Sequence, residues 1–203
     1  MNLNMAPTKS NLMKLKGSLE FSQKAFELLD KKRNVLVREM MGLVERSKEI
    51  QEEMRVSFSE AYNALEIVNI TIGTEYVEEL ALSVQKDEDY EILLRSVMGV
   101  EIPSVKFEEK PLSPNYGFYR TNPAFDIAVT RFRRLRYLIY ELTQVENSVY
   151  RLAVEIKKTQ KRANALEKIQ IPRYKAQAKY IQELLEEKDR EDFFRLKRVK
   201  SKK

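Results

Sequence analysis

The 203-residue chain carries 37 Lys and Arg against 31 Asp and Glu, a formal charge of +6, and contains no cysteine, histidine or tryptophan. Without cysteine there are no disulfides and no thiolate zinc sites. Without histidine the commonest general base and metal ligand are missing, which argues against an enzyme, and no cofactor or metal site is expected. A third of the residues are charged and there are only five glycines and six prolines, a mix that favours long helices.

Met1 to Ser10 lacks the apolar core of a secretory signal, and no apolar run approaches the roughly 18 residues a membrane helix needs. A cytoplasmic chain, without membrane insertion of its own, is expected. Pro7 and Thr8 suit a helix start, with Thr8 or Ser10 as the cap. From there steps of three and four alternate without a slip through Leu12, Leu15, Leu19, Ser22, Phe26, Leu29, Arg33, Leu36, Met40, Leu43, Ser47, Ile50 and Met54. A 3.5-residue repeat held over six heptads marks a coiled coil, because only a supercoil keeps so narrow a stripe on one partner. Phe58, Ala61, Leu65 and Val68 continue it after one extra step of four, a stutter. The helix is expected from about Lys9 to about Asn69, and the stretch 1–69 is read as the first arm.

Residues 70–122 concentrate glycine and proline and read as a connecting insert. Tyr90–Val97 and Val100–Phe107 read as a β-hairpin turning at Met98-Gly99, with Pro103 confining the second strand to an edge. An alternative makes Leu80–Val84 a strand, joined to the one near Ile92 across Gln85–Asp89. Lys110–Thr121 reads as loop. Asn122-Pro123 then starts a second long helix, with Asn as cap and Pro at the first helical position. Its stripe is Leu135, Leu138, Leu142, Val145, Val149, Leu152, Ile156, Thr159, Ala163 and Leu166. Pro172 should kink or end it, and Tyr174, Ala178, Ile181 and Leu185 resume. The second arm, 123–203, ends in a basic tail.

The fold class is therefore all-α dominated: a long antiparallel two-helix coiled coil with a small β-hairpin insert. Facing residue numbers should add to about 200 if residues 69 and 131 lie near the same end. Arg33, the one charge in the first seam, would then meet an acidic residue of the second helix, Glu167 first.

Apolar residues off the seams mark partner contacts on a thin coil. Phe21, Leu28 and Val35 form one such line. Tyr137, Ile139, Tyr140, Tyr150 and Val154 form another patch, unless the insert covers its Tyr137–Tyr140 end. Both chain ends fall at one tip, gathering Lys9, Lys14, Lys16, Arg195, Lys197, Arg198 and Lys200. That tip suits an acidic surface or a protein socket.

Five strings carry a family resemblance: Ala6 to Lys9, Leu28 to Leu36, Val97 to Pro103, Glu186 to Glu191 and, most specifically, Arg162-Ala-Asn-Ala-Leu-Glu-Lys-Ile-Gln-Ile-Pro172. The motif residues Arg162, Asn164, Ala165, Leu166, Glu167, Ile171 and Pro172 resemble those of the D subunit of the V-type and A-type rotary ATPases. The resemblance implies a non-catalytic rotor axle, standing inside a hexamer of catalytic and non-catalytic subunits with the chain ends at the inserted tip. It implies a small central-stalk partner, the F subunit (G in some naming), and a funnel subunit on the membrane ring. The chain would be peripheral to a membrane through that complex. The competing reading is a basic coiled-coil scaffold or nucleic-acid-binding protein; no zinc-finger spacing or aromatic stacking platform supports direct nucleic-acid contact.

Overall fold

A computed structural model describes residues 6–83, 90–107, 116, 117, 119 and 121–201. The elements in order are α1 (Lys9–Ile72), α2 (Thr74–Ser83), β1 (Tyr90–Val97), β2 (Val100–Phe107), α3 (Pro123–Ala165), a π-helical turn (Leu166–Gln170) and α4 (Ile171–Lys200). They form two compact units, one of residues 1–35 with 156–203 and one of residues 36–155.

The sequence caps work as expected. Thr8 Oγ1 accepts the Asn11 N–H at 3.2 Å, and Asn122 Oδ1 accepts the Phe125 N–H at 3.2 Å, each satisfying an orphan donor of a first turn. Gly73, at φ +94°, ends α1 in the left-handed region that a residue with a Cβ resists. The chain re-enters a helix at once, so Leu80–Ser83 lie on α2. The alternative strand there is incorrect, and the rest of that reading (Val84, Gln85–Asp89) falls outside the described residues. So does most of the loop expected over Lys110–Thr121.

Within the first unit, α1 lies antiparallel to α3 and α4. Leu15, Ala178 and Ile181 form a buried cluster flanked by Leu12, Tyr174 and Leu185. Lys9 lies 3.7 Å from Asp189. Within the second unit, Arg46 reaches Glu141 at 2.8 Å, and Arg131 Nη1 donates to the Glu60 carbonyl at 3.0 Å. No seam position named above is exposed in either unit. Leu36, Ile50 and Val68 of α1 and Leu152 of α3 are fully buried. Polar Ser22 is tolerated because its Oγ donates to the Ser18 carbonyl one turn back, at 2.8 Å.

The expected register is off by one heptad. Arg33 Nη1 donates to Gln160 Oε1 at 2.7 Å, and its Nη2 lies 2.6 Å from Asp30 on its own helix. It does not meet Glu167, which is exposed on the π-helical turn. The cause is the helix junction. With α1 running to Ile72 and α3 starting at Pro123, the junction numbers add to 195 rather than the expected 200, which accounts for five of the seven residues by which Gln160 precedes Glu167.

Pro172 does not end the helical path, which continues through α4 to Lys200. Its missing N–H is absorbed by the π-helical turn, where the Ile171 N–H bonds back to the Leu166 carbonyl, five residues away. The wide turn takes up one extra residue. That is why the seam steps by four three times in a row, Leu166 to Gln170 to Tyr174 to Ala178, and still faces α1.

A second core closes the helix junction. Ala64 and Val68 of α1, Val77 and Leu80 of α2, and Phe125 and Ala128 of α3 enclose Tyr116. The Tyr116 ring stands edge-on to Phe125, with centroids 4.8 Å apart. Its hydroxyl donates to Asp126 Oδ1 at 2.5 Å. Burial, and then that hydrogen bond, push the phenol up to about 12.

The hairpin is antiparallel with Val97 opposite Val100 and Tyr90 opposite Phe107. Met98 and Gly99 sit at φ +51° and +77°, the two left-handed positions of a tight turn whose twist matches the strands. The strand β2 is pinned to α3: the Val105 N–H donates to Gln144 Oε1 at 2.7 Å, and Arg151 Nη1 donates to the Glu101 carbonyl at 2.9 Å. Phe107 stacks on Tyr137 at 5.0 Å, and Tyr90 meets Tyr140 at 5.5 Å.

Candidate interaction surfaces

The basic residues expected at the tip lie in the first unit but at successive levels along it. Lys14 and Lys16 flank Leu15, at the level of Ala178 and Ile181, and Lys9 is at the level of Asp189. Arg195, Lys197, Arg198 and Lys200 lie one to three turns further along α4, where every residue from 186 to 201 is exposed. Acidic side chains share that stretch; Arg195 lies 3.6 Å from Glu191 and 3.9 Å from Asp192. These exposed pairs contribute little stability.

Sequence reasoning treated the tail as basic and missed its apolar content. Phe193, Phe194, Leu196 and Val199 are all about two-thirds exposed. At roughly 100° per residue they spread over more than half the circumference of the helix, with the four cations between them. Neither class has a face of its own. A one-sided docking helix segregates its apolar residues; this arrangement suits a socket that surrounds the helix. The signal was present in the sequence as Phe-Phe-x-Leu-x-x-Val beyond the last seam residue, Leu185.

The tyrosine patch divides. Tyr137 and Tyr140 are half-buried beneath the aromatic residues of the hairpin. Ile139, Tyr150 and Val154 remain open, with Tyr150 69 % exposed. They are 11 and 15 residues apart, which puts them on one face of α3. A further open stripe, Val56, Ile67 and Ile70, runs along α1 in the same unit. Phe21 and Leu28 are exposed on α1 of the first unit, whereas Val35 is half-buried.

The Arg162–Pro172 string is structural. Asn164 Oδ1 accepts from Gln160 Nε2 at 2.8 Å, extending the bond from Arg33 into a three-residue network across the seam. Leu166 and Ile171 bracket the π-helical turn, and Pro172 is the residue that requires it. Arg162, Ala165 and Glu167 point to solvent. Among the described residues no three carboxylates gather as a metal site, and no helix is long and apolar enough to cross a membrane.

These features define a class: an antiparallel coiled-coil protein whose open faces are apolar side chains interleaved with charge. The chain belongs to the ATP synthase D-subunit family, whose pattern it matches over residues 11–201. It is 44 % identical over 200 residues to the V-type ATP synthase D subunit of Thermotoga neapolitana, covering 98 % of each chain. It is 37 % identical over 202 residues to the A-type ATP synthase D subunit of Thermococcus kodakarensis and 35 % identical to that of Pyrococcus furiosus, covering 98 % of this chain and 94 % of each relative.

Proposed function

We propose that this chain is the central rotor axle of a V-type or A-type ATPase, a non-catalytic subunit carrying torque between the catalytic hexamer and the membrane ion-translocating ring. The observation that carries this reading is the α4 tail, with apolar and basic side chains alternating all round its axis. Such a tail fits a sleeve formed by several subunits, and the catalytic and non-catalytic subunits of the hexamer would supply it. The basic set Lys9, Lys14, Lys16, Arg195, Lys197, Arg198 and Lys200 would meet acidic groups of the same sleeve.

Torque needs a stiff element. A lone helix is marginal in water, whereas each buried Leu or Ile of the seam adds roughly 1.5–3 kcal/mol. Two unlike helices also lack rotational symmetry. Each rotary position then favours a different conformation at each catalytic interface, which is coupling through differential contact. The small central-stalk protein would bind the open face of Ile139, Tyr150 and Val154, with Tyr137 and Tyr140 acting through the hairpin they support. A funnel subunit on the ring would take the helix-junction end, and the chain would be held at the membrane by that complex.

Reconstitution tests the proposal. Replacing Phe193, Phe194, Leu196 and Val199 with Ser, in a chain whose helicity is unchanged, should reduce binding to a purified hexamer by at least tenfold. Neutralising Arg195, Lys197, Arg198 and Lys200 should weaken it in a salt-dependent way. Full binding and full ATP turnover by both variants would refute the socket.

A further inference from the structure

Gly17 stands in the interior of α1 with no use inside this chain. Its φ is not positive, and among the described residues nothing lies within 4 Å of where its Cβ would be. It is two residues from both Leu15 and Leu19, about 200° round the axis from each, so it faces away from the seam. A glycine in a helix interior costs stability relative to alanine. Where nothing in the chain approaches, the missing side chain leaves room for a group from outside.

The walls of that space are apolar. Met13 and Phe21 lie one turn to either side of Gly17 on the same face, each about 6 Å along the axis. They are 75 % and 74 % exposed, and Leu28, a heptad beyond Phe21, is open as well. The result is a notch one residue wide with a bare backbone floor. Its surroundings are basic. Leu15 packs on Ala178 and Ile181, which sets the level of α4 beside it. Over Met13–Lys24 of α1 and Arg173–Glu183 of α4 the acidic side chains are Glu20 and Glu183. Lys24 engages the first at 2.7 Å and Lys179 the second at 3.8 Å. Lys14, Lys16, Arg173 and Lys175, all exposed, then leave a positive field around the notch.

We propose that the Met13–Gly17–Phe21 notch receives a large apolar side chain flanked by carboxylates, carried by a subunit of the surrounding hexamer. This rests on the rotor reading above and adds a contact on α1 to the one made by the α4 tail. A thioether and an aromatic ring as walls grip an apolar anchor; a phosphate backbone gains nothing from them. Gly42, the other interior glycine of α1, is equally open, but Arg38 and Arg46 stand one turn to either side of it. It has no apolar walls and serves as the control.

Binding of the full chain to a purified hexamer tests this. Gly17→Leu fills the notch and should weaken binding at least tenfold. Its melting midpoint should stay at or above that of the wild type, because leucine is the better helix former. Gly42→Leu makes the same gain in helix and should bind within twofold of the wild type. Phe21→Ser removes a wall and should weaken binding about fivefold. Zero-length carbodiimide coupling of the wild-type complex should join Lys14 or Lys16 to an Asp or Glu of the hexamer. Full binding by Gly17→Leu overturns the notch and leaves the rotor reading standing. Equal losses from Gly17→Leu and Gly42→Leu overturn it as well, because helix stiffness and not the notch is then at work. A complex without a lysine–carboxylate cross-link overturns the acidic occupant. A wild type that does not bind the hexamer at all removes the rotor reading and the notch with it.

Discussion

Leu152→Ala tests the seam at one of its driest points. Leu152 is 0 % exposed, while Tyr150, two residues away on the same helix, is 69 % exposed. Truncating a buried Leu to Ala removes transfer energy and leaves a cavity, about 2–5 kcal/mol together. The seam of a two-helix coil is bounded by solvent on both sides, so the cavity partly collapses, and the lower part of that range, about 2–3 kcal/mol, is expected. For 203 residues the unfolding entropy is about 0.4 kcal/mol per degree, so the melting midpoint should fall by about 5–7 °C. Tyr150→Ala should change stability by no more than about 0.5 kcal/mol, about 1 °C. Thermal unfolding followed by circular dichroism at the helix band reads both. Equal shifts from the two variants, or a shift under about 2 °C from Leu152→Ala, would mean that α1 and α3 do not pack through this stripe.

Three further outcomes are expected. In a double-mutant cycle, Arg33→Leu and Gln160→Leu should each destabilise alone by stranding the other's polar group. The pair together should recover about 1 kcal/mol or more; strict additivity would remove Arg33–Gln160 as a seam contact. Met98 sits at φ +51°, where a residue with a Cβ is disfavoured by about 1 kcal/mol, so Met98→Asn should slow amide exchange in β1 and β2 about fivefold, and unchanged exchange would contradict the turn geometry. Tyr116, raised to about 12 from 10.0, holds its proton more tightly folded than unfolded. Its contribution is fully present below pH 10, and up to about 2–3 kcal/mol is lost between pH 10 and 12. Urea titrations across that range should show a steeper fall for the wild type than for Tyr116→Phe; parallel curves would refute the assignment.

The coil was legible because its seam depends on period alone: each residue from Leu12 to Met54 that the alternation selects is buried or half-buried. The hairpin was legible because Met98-Gly99 stands between two runs of strand-forming residues. The register was not, since the start of the second helix at Pro123 was right but the facing pair assumed at the junction, 69 with 131, was not: the helix ends Ile72 and Pro123 add to 195 rather than 200. The helix α2 was missed because it is only ten residues long and its buried pair, Val77 and Leu80, gives a single helical repeat. The π-helical turn leaves no trace in a period count beyond a run of three steps of four, from Leu166 to Ala178. Of the off-seam apolar residues, Ile139, Tyr150 and Val154 are exposed, while the aromatic residues of the hairpin cover Tyr137 and Tyr140, and the apolar half of the tail was hidden among its cations.

The central claim, that this protein turns inside a catalytic hexamer, is open to direct measurement because the chain has no cysteine. Met98→Cys at the hairpin turn provides a single attachment point for a gold bead in an immobilised, reconstituted complex. With ATP the bead should rotate in one direction, in steps that follow turnover. A bead that only fluctuates about a fixed angle while ATP is hydrolysed at the normal rate would contradict the account.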